Sequence, residues 1–320
     1  MPAVEEIGPA ANCAGSGGYF DLSDAPAYVE WRAAKLAALA AAADSPFLQL
    51  GDPANLSGEE RAALLSSCGA INMALYECPS LGGDEARTRS ALAAMIRSLG
   101  LVNFEEHRSA TEDGIVPIEV ADTGGRAGFI PYTNRAINWH TDGYYNYRAP
   151  NRMIRSMVLH CVRNAQKGGE NAFMDPDLAY IRLRDENPDF VTALMQQDTM
   201  TIPAFDDEQG KSHPAVTGPV FVISGGELAM RFTIRKRNIE WRDDPLVRDA
   251  LAYLGEVLAG DPLIIRRKLE PDQGIVCNNV LHDRQAFENE PGRAAGRLMF
   301  RVRSYDRIGA GLAPAKQGEA

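Results

Sequence analysis

The chain has 320 residues, 45% of them hydrophobic and 24% charged, which describes an ordinary globular protein with ample material for a core. Lys and Arg total 33 against 43 Asp and Glu, and the net charge of -10 argues against nucleic acid or an anionic membrane as partner while leaving room for a local basic pocket. The five cysteines (Cys13, Cys68, Cys78, Cys161, Cys277) form no CxxC pair, so neither a zinc knuckle nor a disulfide framework is expected.

The amino terminus, MPAVEEIGPA, is acidic and lacks a basic region followed by an apolar stretch, and no apolar run reaches the length of a membrane span. A cytoplasmic protein is expected, with residues 1–19 as an irregular arm. Three helices should dominate 20–110 as a scaffold: AYVEWRAAKLAALAAAA (27–43), a segment from Ser57 to Glu77 that opens with Ser57 and Glu60 at capping-box spacing, and DEARTRSALAAMIRSLG (84–100), which stops at Gly100.

From about residue 115 the texture changes to short apolar, β-branched runs separated by Gly, Pro, Asn and Asp, the pattern of strands and turns. Expected strands are IVPIEV, AINWHTD, IRSMVLHCVR, ENAFMD, PVFVISG, MRFTIR, LIIRRKLE, GIVCNNVLH and RLMFRVRSY. Helical insertions are expected near 176–197 and at 244–260, where Asp244 is placed as N-cap and Pro245 in the first turn. With no repeat and no long linker, the parse is a single α+β domain with a mainly β core (111–308), a barrel or sandwich, and a tail at 309–320.

Within AINWHTD, His140 and Asp142 fall two residues apart, so on an extended strand they share a face and offer an imidazole and a carboxylate to one point. A third ligand must come from elsewhere. His160, in the apolar SMVLHCV, reads as a core histidine, and His213, in KSHPAV, either lines a pocket or faces solvent. His282 ends a strand beside the polar DRQ, where a barrel mouth would present a ligand, and is the expected third member. Two histidines and a carboxylate leave open positions on octahedral ferrous iron, although zinc tolerates the same set. In GRLMFRVRSY, alternation puts Arg297, Met299, Arg301 and Arg303 on one face; such an arginine face is either a solvated edge or a clamp for a carboxylate held by two parallel hydrogen bonds.

Together, NWHTDG, GGENAFMD, HPAV and NNVLHDRQAF resemble motifs of the taurine dioxygenase and clavaminate synthase-like superfamily of ferrous iron and 2-oxoglutarate-dependent oxygenases, over roughly residues 115–305; the HTDG form is also similar to the glutarate hydroxylase branch. The resemblance implies a double-stranded β-helix, or jelly roll, with helices outside. It implies His140, Asp142 and His282 as iron ligands, Arg297 as partner of the distal carboxylate of 2-oxoglutarate, and Arg301 as partner of the co-substrate or of a substrate anion. Where the family often has Thr or Ser touching 2-oxoglutarate, this chain has Asn171, whose amide can also donate. Gly168 and Gly169 serve this motif or only a turn.

The expected reaction is hydroxylation of an unactivated C–H bond of a small anionic or zwitterionic substrate, one bearing a carboxylate or sulfonate, with O2 consumed and succinate and CO2 released. The carboxylate at Asp142 separates the chain from related halogenases, which have a small residue there. Tyr144, Asn138 and Arg231 are the expected substrate contacts, whereas Arg235 and Arg237 read equally well as a solvated basic edge. A metal-dependent hydrolase and a noncatalytic metal-binding jelly roll are the rival readings, and neither needs a carboxylate clamp at Arg297. The sequence leaves open the substrate's identity and oxidised position, desaturation or oxidative cleavage in place of hydroxylation, and the oligomeric state, a homo-oligomer included.

Overall fold

The computed structural model describes residues 18–105, 113–147, 152–206, 212–235, 237–290 and 296–310, so nearly all of the expected arm and tail lies outside the described residues. Helix α1 (Ala25–Ala43) is capped by Asp24, whose carboxylate accepts from Ala27 N. After the short strand β1 (Leu48–Gln49), the Ser57–Glu60 capping box forms in both directions and starts α2 (Gly58–Ile71), a device worth about 1 kcal/mol.

Here the structure departs from the sequence reading, which carried this helix to Glu77. Asn72 adopts the left-handed conformation (φ 59°) that few residues other than Asn and Gly tolerate, and Met73–Glu77 becomes strand β2. The expected helical scaffold therefore contributes a strand to the main sheet. Helix α3 (Glu85–Ser98) follows as expected.

The β-rich part comprises β3 (Val116–Ile118), β4 (Ile137–His140), β5 (Ser156–Arg163), β6 (Lys167–Gly168) and β7 (Asn171–Met174). Helices α4 (Pro176–Glu186) and α5 (Pro188–Leu194) each carry proline in the first turn behind an Asp or Asn N-cap. Short strands follow: β8 (Met200–Ile202), β9 (Phe205–Asp206), β10 (Ser212–His213), β11 (Val216–Gly218), β12 (Phe221–Ser224), β13 (Glu227–Met230) and β14 (Glu240–Trp241). Then come α6 (Pro245–Gly260), β15 (Ile265–Arg267), β16 (Gln273–Cys277), β17 (Leu281–Arg284), β18 (Phe287–Glu288) and β19 (Leu298–Ser304).

Two sheets dominate. One has the order β1-β2-β16-β5-β19-β3 and the other β15-β7-β17-β4. Met157, Leu159 and Met299 from the first share a buried cluster with Phe173, Leu281 and Trp139 from the second. On its opposite face the first sheet buries Val158, Phe300 and Val302 against Leu64, Leu92 and Met95 of α2 and α3. The fold is thus mixed α/β, with helices outside a β core. No helix among the described residues is long and apolar enough to cross a membrane.

GIVCNNVLH, expected as one strand, is two. Asn279 turns left-handed (φ 50°) and sends β16 into one sheet and β17 into the other. That break carries the chain to the site.

Candidate metal and co-substrate site

Strands β4 and β17 pair antiparallel with His140 directly opposite His282, and the ring centroids lie 4.3 Å apart. Each Nδ1 lies 2.9 Å from a backbone carbonyl two residues earlier, Asn138 O for His140 and Val280 O for His282. A carbonyl only accepts, so each Nδ1 carries the hydrogen and each Nε2 keeps its lone pair for a metal. Burial and the neighbouring His282 push His140 down to about 3, which keeps the imidazole neutral and able to coordinate.

Asp142 joins them by a different route from the one the sequence suggested. Strand β4 ends at His140, and Asp142 sits in a turn closed by Gly143 (φ 70°), where an added Cβ would lie 2.4 Å from Ile154 Cγ1. Asn279 fixes that turn: its Oδ1 accepts from Asp142 N (2.8 Å), and its Nδ2 donates to Asp142 O (3.0 Å) and Ile154 O (2.8 Å). The left-handed residue that separates β16 from β17 is thus the one that fixes the carboxylate.

One ligand atom from each of His140, Asp142 and His282 lies within 4.8 Å of the others. Asp142 Oδ2 is buried without a hydrogen-bond partner. Burial opposes its charge, but Arg301 and Arg303 outweigh burial and hold the carboxyl well below the usual carboxylate range. Two imidazoles with Nδ1 held on carbonyls and a charged carboxylate with an orphaned oxygen fit a divalent metal.

Arg297 is 5% exposed, and its guanidinium stacks 5.1 Å from the centroid of Phe287 without a hydrogen bond or ion pair among the described residues. Burial lowers it to about 10. Gly169 lies against it, where a Cβ would come 3.5 Å from Arg297 Nε, and Gly168 (φ 70°) is forced by Ala286 O, which a Cβ would meet at 2.2 Å. The Gly-Gly pair therefore does more than turn the chain. It brings β6 against β18 and leaves space beside a cation that has no anion among the described residues, which fits the distal carboxylate of 2-oxoglutarate.

Residues 44–303 match the family model described as Taurine catabolism dioxygenase TauD, TfdA family. The chain belongs to this family. It is accordingly an iron and 2-oxoglutarate-dependent dioxygenase. A uridine-5'-phosphate dioxygenase from an Amycolatopsis species is 28% identical over 231 residues, 68% of this chain and 80% of that protein. Another, from a Streptomyces species, is 29% identical over 209 residues, 57% of this chain and 66% of that protein. Among solved structures, asparagine oxygenase in complex with Fe(II), 2S,3S-3-hydroxyasparagine and succinate matches with a TM-score of 0.55 at 14% identity, covering 88% of this chain and 92% of that one. The non-heme iron oxygenase OrfP with Fe and alpha-ketoglutaric acid matches at 0.57 and 16%, covering 87% and 92%. At these identities the two structures speak for the fold.

Two of the expected contacts, Asn171 and Arg231, hold other partners in the fold. Asn171 Nδ2 donates to Asp283 O (2.7 Å) and so ties β7 to β17, which commits one of its two amide hydrogens, while its Oδ1 is buried without a hydrogen-bond partner among the described residues. Arg231, expected at the substrate, is 1% exposed and donates to the carbonyls of Tyr144, Met200, Gly218 and Val216. With its donors on backbone, it is a strut.

Tyr144 does lie at the site, its ring edge-on to His140 at 6.4 Å, and Asn138 is exposed two residues before His140. Arg301 and Arg303 both place Nη1 3.6 Å from Asp142 Oδ1. Arg303 is further held by Tyr145 OH (2.9 Å) and by Glu105, whereas Arg301 has no other partner among the described residues. His160 is a core residue bonded to Tyr76 OH at 3.1 Å, as read, and His213 stacks on Phe205 in the β9–β10 hairpin.

The sequence reading missed Asn279 and Glu105. The Asn-Asn step inside an apolar run was the only signal for the first. Nothing local distinguishes Glu105, which closes its ion pair with Arg303 across the fold.

Proposed function

We propose that this dioxygenase hydroxylates an unactivated C–H bond of a small anionic substrate, on a single jelly-roll domain in which His140, Asp142 and His282 hold iron and Arg297 holds 2-oxoglutarate. When bound, iron and 2-oxoglutarate supply the oxidant: 2-oxoglutarate and the substrate C–H each give up two electrons to O2, one oxygen atom entering succinate as CO2 leaves, the other entering the substrate. The protein orients these groups. The Nδ1–carbonyl bonds fix both imidazoles, Asn279 fixes the carboxylate, and the buried surroundings of Arg297 strengthen its grip on a carboxylate by excluding water.

The observation that carries the anionic-substrate reading is the surplus of positive charge at Asp142. Arg301 is not wholly unpaired, because Asp142 Oδ1 lies 3.6 Å away. That oxygen is shared with Arg303 and belongs to a metal ligand, so one carboxylate faces two guanidiniums and a divalent cation. Glu105 offsets Arg303. Among the described residues nothing else offsets Arg301 once a metal takes Asp142, and an anionic group on the substrate meets that need.

The similarity to uridine-5'-phosphate dioxygenases makes uridine 5'-phosphate the first substrate to test, beside amino acids, dicarboxylates and sulfonates. The buried free thiols of Cys68, Cys78, Cys161 and Cys277 suit a reducing, cytoplasmic setting. Succinate release stimulated by members of this panel is the test. The expected result is stimulation by an anion, with Arg301→Ala raising its KM far more than that of 2-oxoglutarate; best turnover of a neutral compound overturns the reading.

A further inference from the structure

We propose that Arg235, with Tyr144 and Asn138, forms a second anion-reading subsite on the metal-bearing face, so that the substrate pocket selects a doubly charged anion over a singly charged or neutral one. The proposal rests on the anionic-substrate reading and deepens it by assigning a residue and a charge.

Its first support is register. His140 bridges Thr233, Thr141 N donates to Phe232 O (3.0 Å) and Ile234 N to Trp139 O (3.0 Å), so residues 231–235 run antiparallel beside β4 although they form no regular strand. Continued one step, this register sets Arg235 opposite Asn138. Alternate residues share a face, which puts Asn138 and Arg235 on the side that carries His140.

The second support is the kind of partner each arginine has. Arg231 donates only to carbonyls, and Arg303 is neutralised by Glu105. Arg235 is exposed and donates through Nη1 to Tyr144 OH at 2.7 Å, with no acidic partner among the described residues. A phenol positions a guanidinium without cancelling its charge. The Tyr144 hydroxyl, which also bonds the Thr233 side chain, accepts from Arg235, and its ring lies edge-on to His140. With Arg297 assigned to 2-oxoglutarate, Arg235 and Arg301 remain, among the described residues, as site arginines with donors to spare, in a protein whose net charge of -10 would otherwise repel an anion.

A phosphate monoester and a dicarboxylate are the two sources of such charge. The test uses the anaerobic complex of the protein with Fe(II) and 2-oxoglutarate, titrated with uridine 5'-phosphate, uridine 5'-carboxylate, uridine and glutarate, and followed by the perturbation of its visible charge-transfer band. Wild type is expected to bind one of the dianions best. Arg235→Gln should weaken that dianion by about tenfold or more, leave uridine and the affinity for 2-oxoglutarate within about twofold, and so collapse the preference for two charges over one; Arg235→Lys should restore part of it and Tyr144→Phe should lose a smaller part. Unchanged binding of every anion in Arg235→Gln, or an equal loss of 2-oxoglutarate affinity, overturns the proposal, and so does a panel in which wild type binds no anion better than uridine. An anion that depends on Arg301 but not on Arg235 sinks this inference alone and leaves the anionic-substrate reading standing.

Discussion

His140 and His282 face each other across the β4–β17 pair, each with its Nδ1 turned onto the carbonyl two residues behind it. The same local geometry is built twice, on strands from distant parts of the chain. Both Nε2 atoms are thereby aimed before any metal arrives, which lowers the entropy cost of binding one.

Removing one imidazole should therefore cost more than removing a group that only orients a ligand. His282→Ala is expected to lower Fe(II) or Co(II) affinity by more than about 100-fold, measured by anaerobic calorimetry or by the visible bands of the Co(II) form. Retained affinity would mean that the third ligand lies elsewhere.

Arg297 is a buried cation without an anion among the described residues, and its loss should fall on the co-substrate alone. Arg297→Ala should weaken 2-oxoglutarate by about 2–5 kcal/mol while metal affinity stays nearly constant, read from titration of the charge-transfer band. Arg297→Lys should recover only part, because a point charge replaces a planar fork.

Glu105 holds Arg303, and Arg303 approaches Asp142. Glu105→Gln frees that guanidinium to compete with a metal for Asp142 Oδ1. We expect metal affinity to fall by about tenfold with the fold intact by circular dichroism, and Glu105→Asp to restore part of it. Metal binding unchanged in Glu105→Gln would show that Arg303 is pinned by Tyr145 and packing alone.

A pH effect follows from a buried cluster away from the metal. Lys35 Nζ lies 3.1 Å from Asp175 Oδ2 and 2.7 Å from Asp177 Oδ2, and one ammonium cannot neutralise both carboxylates. Burial, then repulsion from Asp175, raises Asp177 to about 6. An acid raised in the folded state stabilises the fold fully below its unfolded value near 4, and that stability is lost as pH climbs through about 6. Asp177→Asn should remove about 1–3 kcal/mol of this decline, seen as a flatter pH profile for the variant than for wild type in urea denaturation from pH 4 to 7, so that the difference between the two changes with pH. A difference that does not change with pH would rule the assignment out.

The sequence by itself determined the ligand set and much of the β order, because these rest on local signals. A histidine and an aspartate two apart in a strand-like run, a histidine at a strand end, a Gly-Gly pair and an arginine on a strand face are all visible within a few residues, and their combination resembles one family. The tertiary structure decided what each side chain is free to do. Arg231 and Arg235 look alike in MRFTIRKR, yet one donates to carbonyls and the other to a phenol at the site. Asn171, read as a donor for 2-oxoglutarate, gives one of its amide hydrogens to Asp283 O. The helix expected to reach Glu77 and the strand expected over Gly274–His282 both break at an asparagine with positive φ. Propensity favours continuing through each. Pairing of β2 and β16 in one sheet, and of β17 with β4 in the other, outweighs it, since hydrogen bonds and burial gained between distant segments exceed the small local cost of a left-handed asparagine.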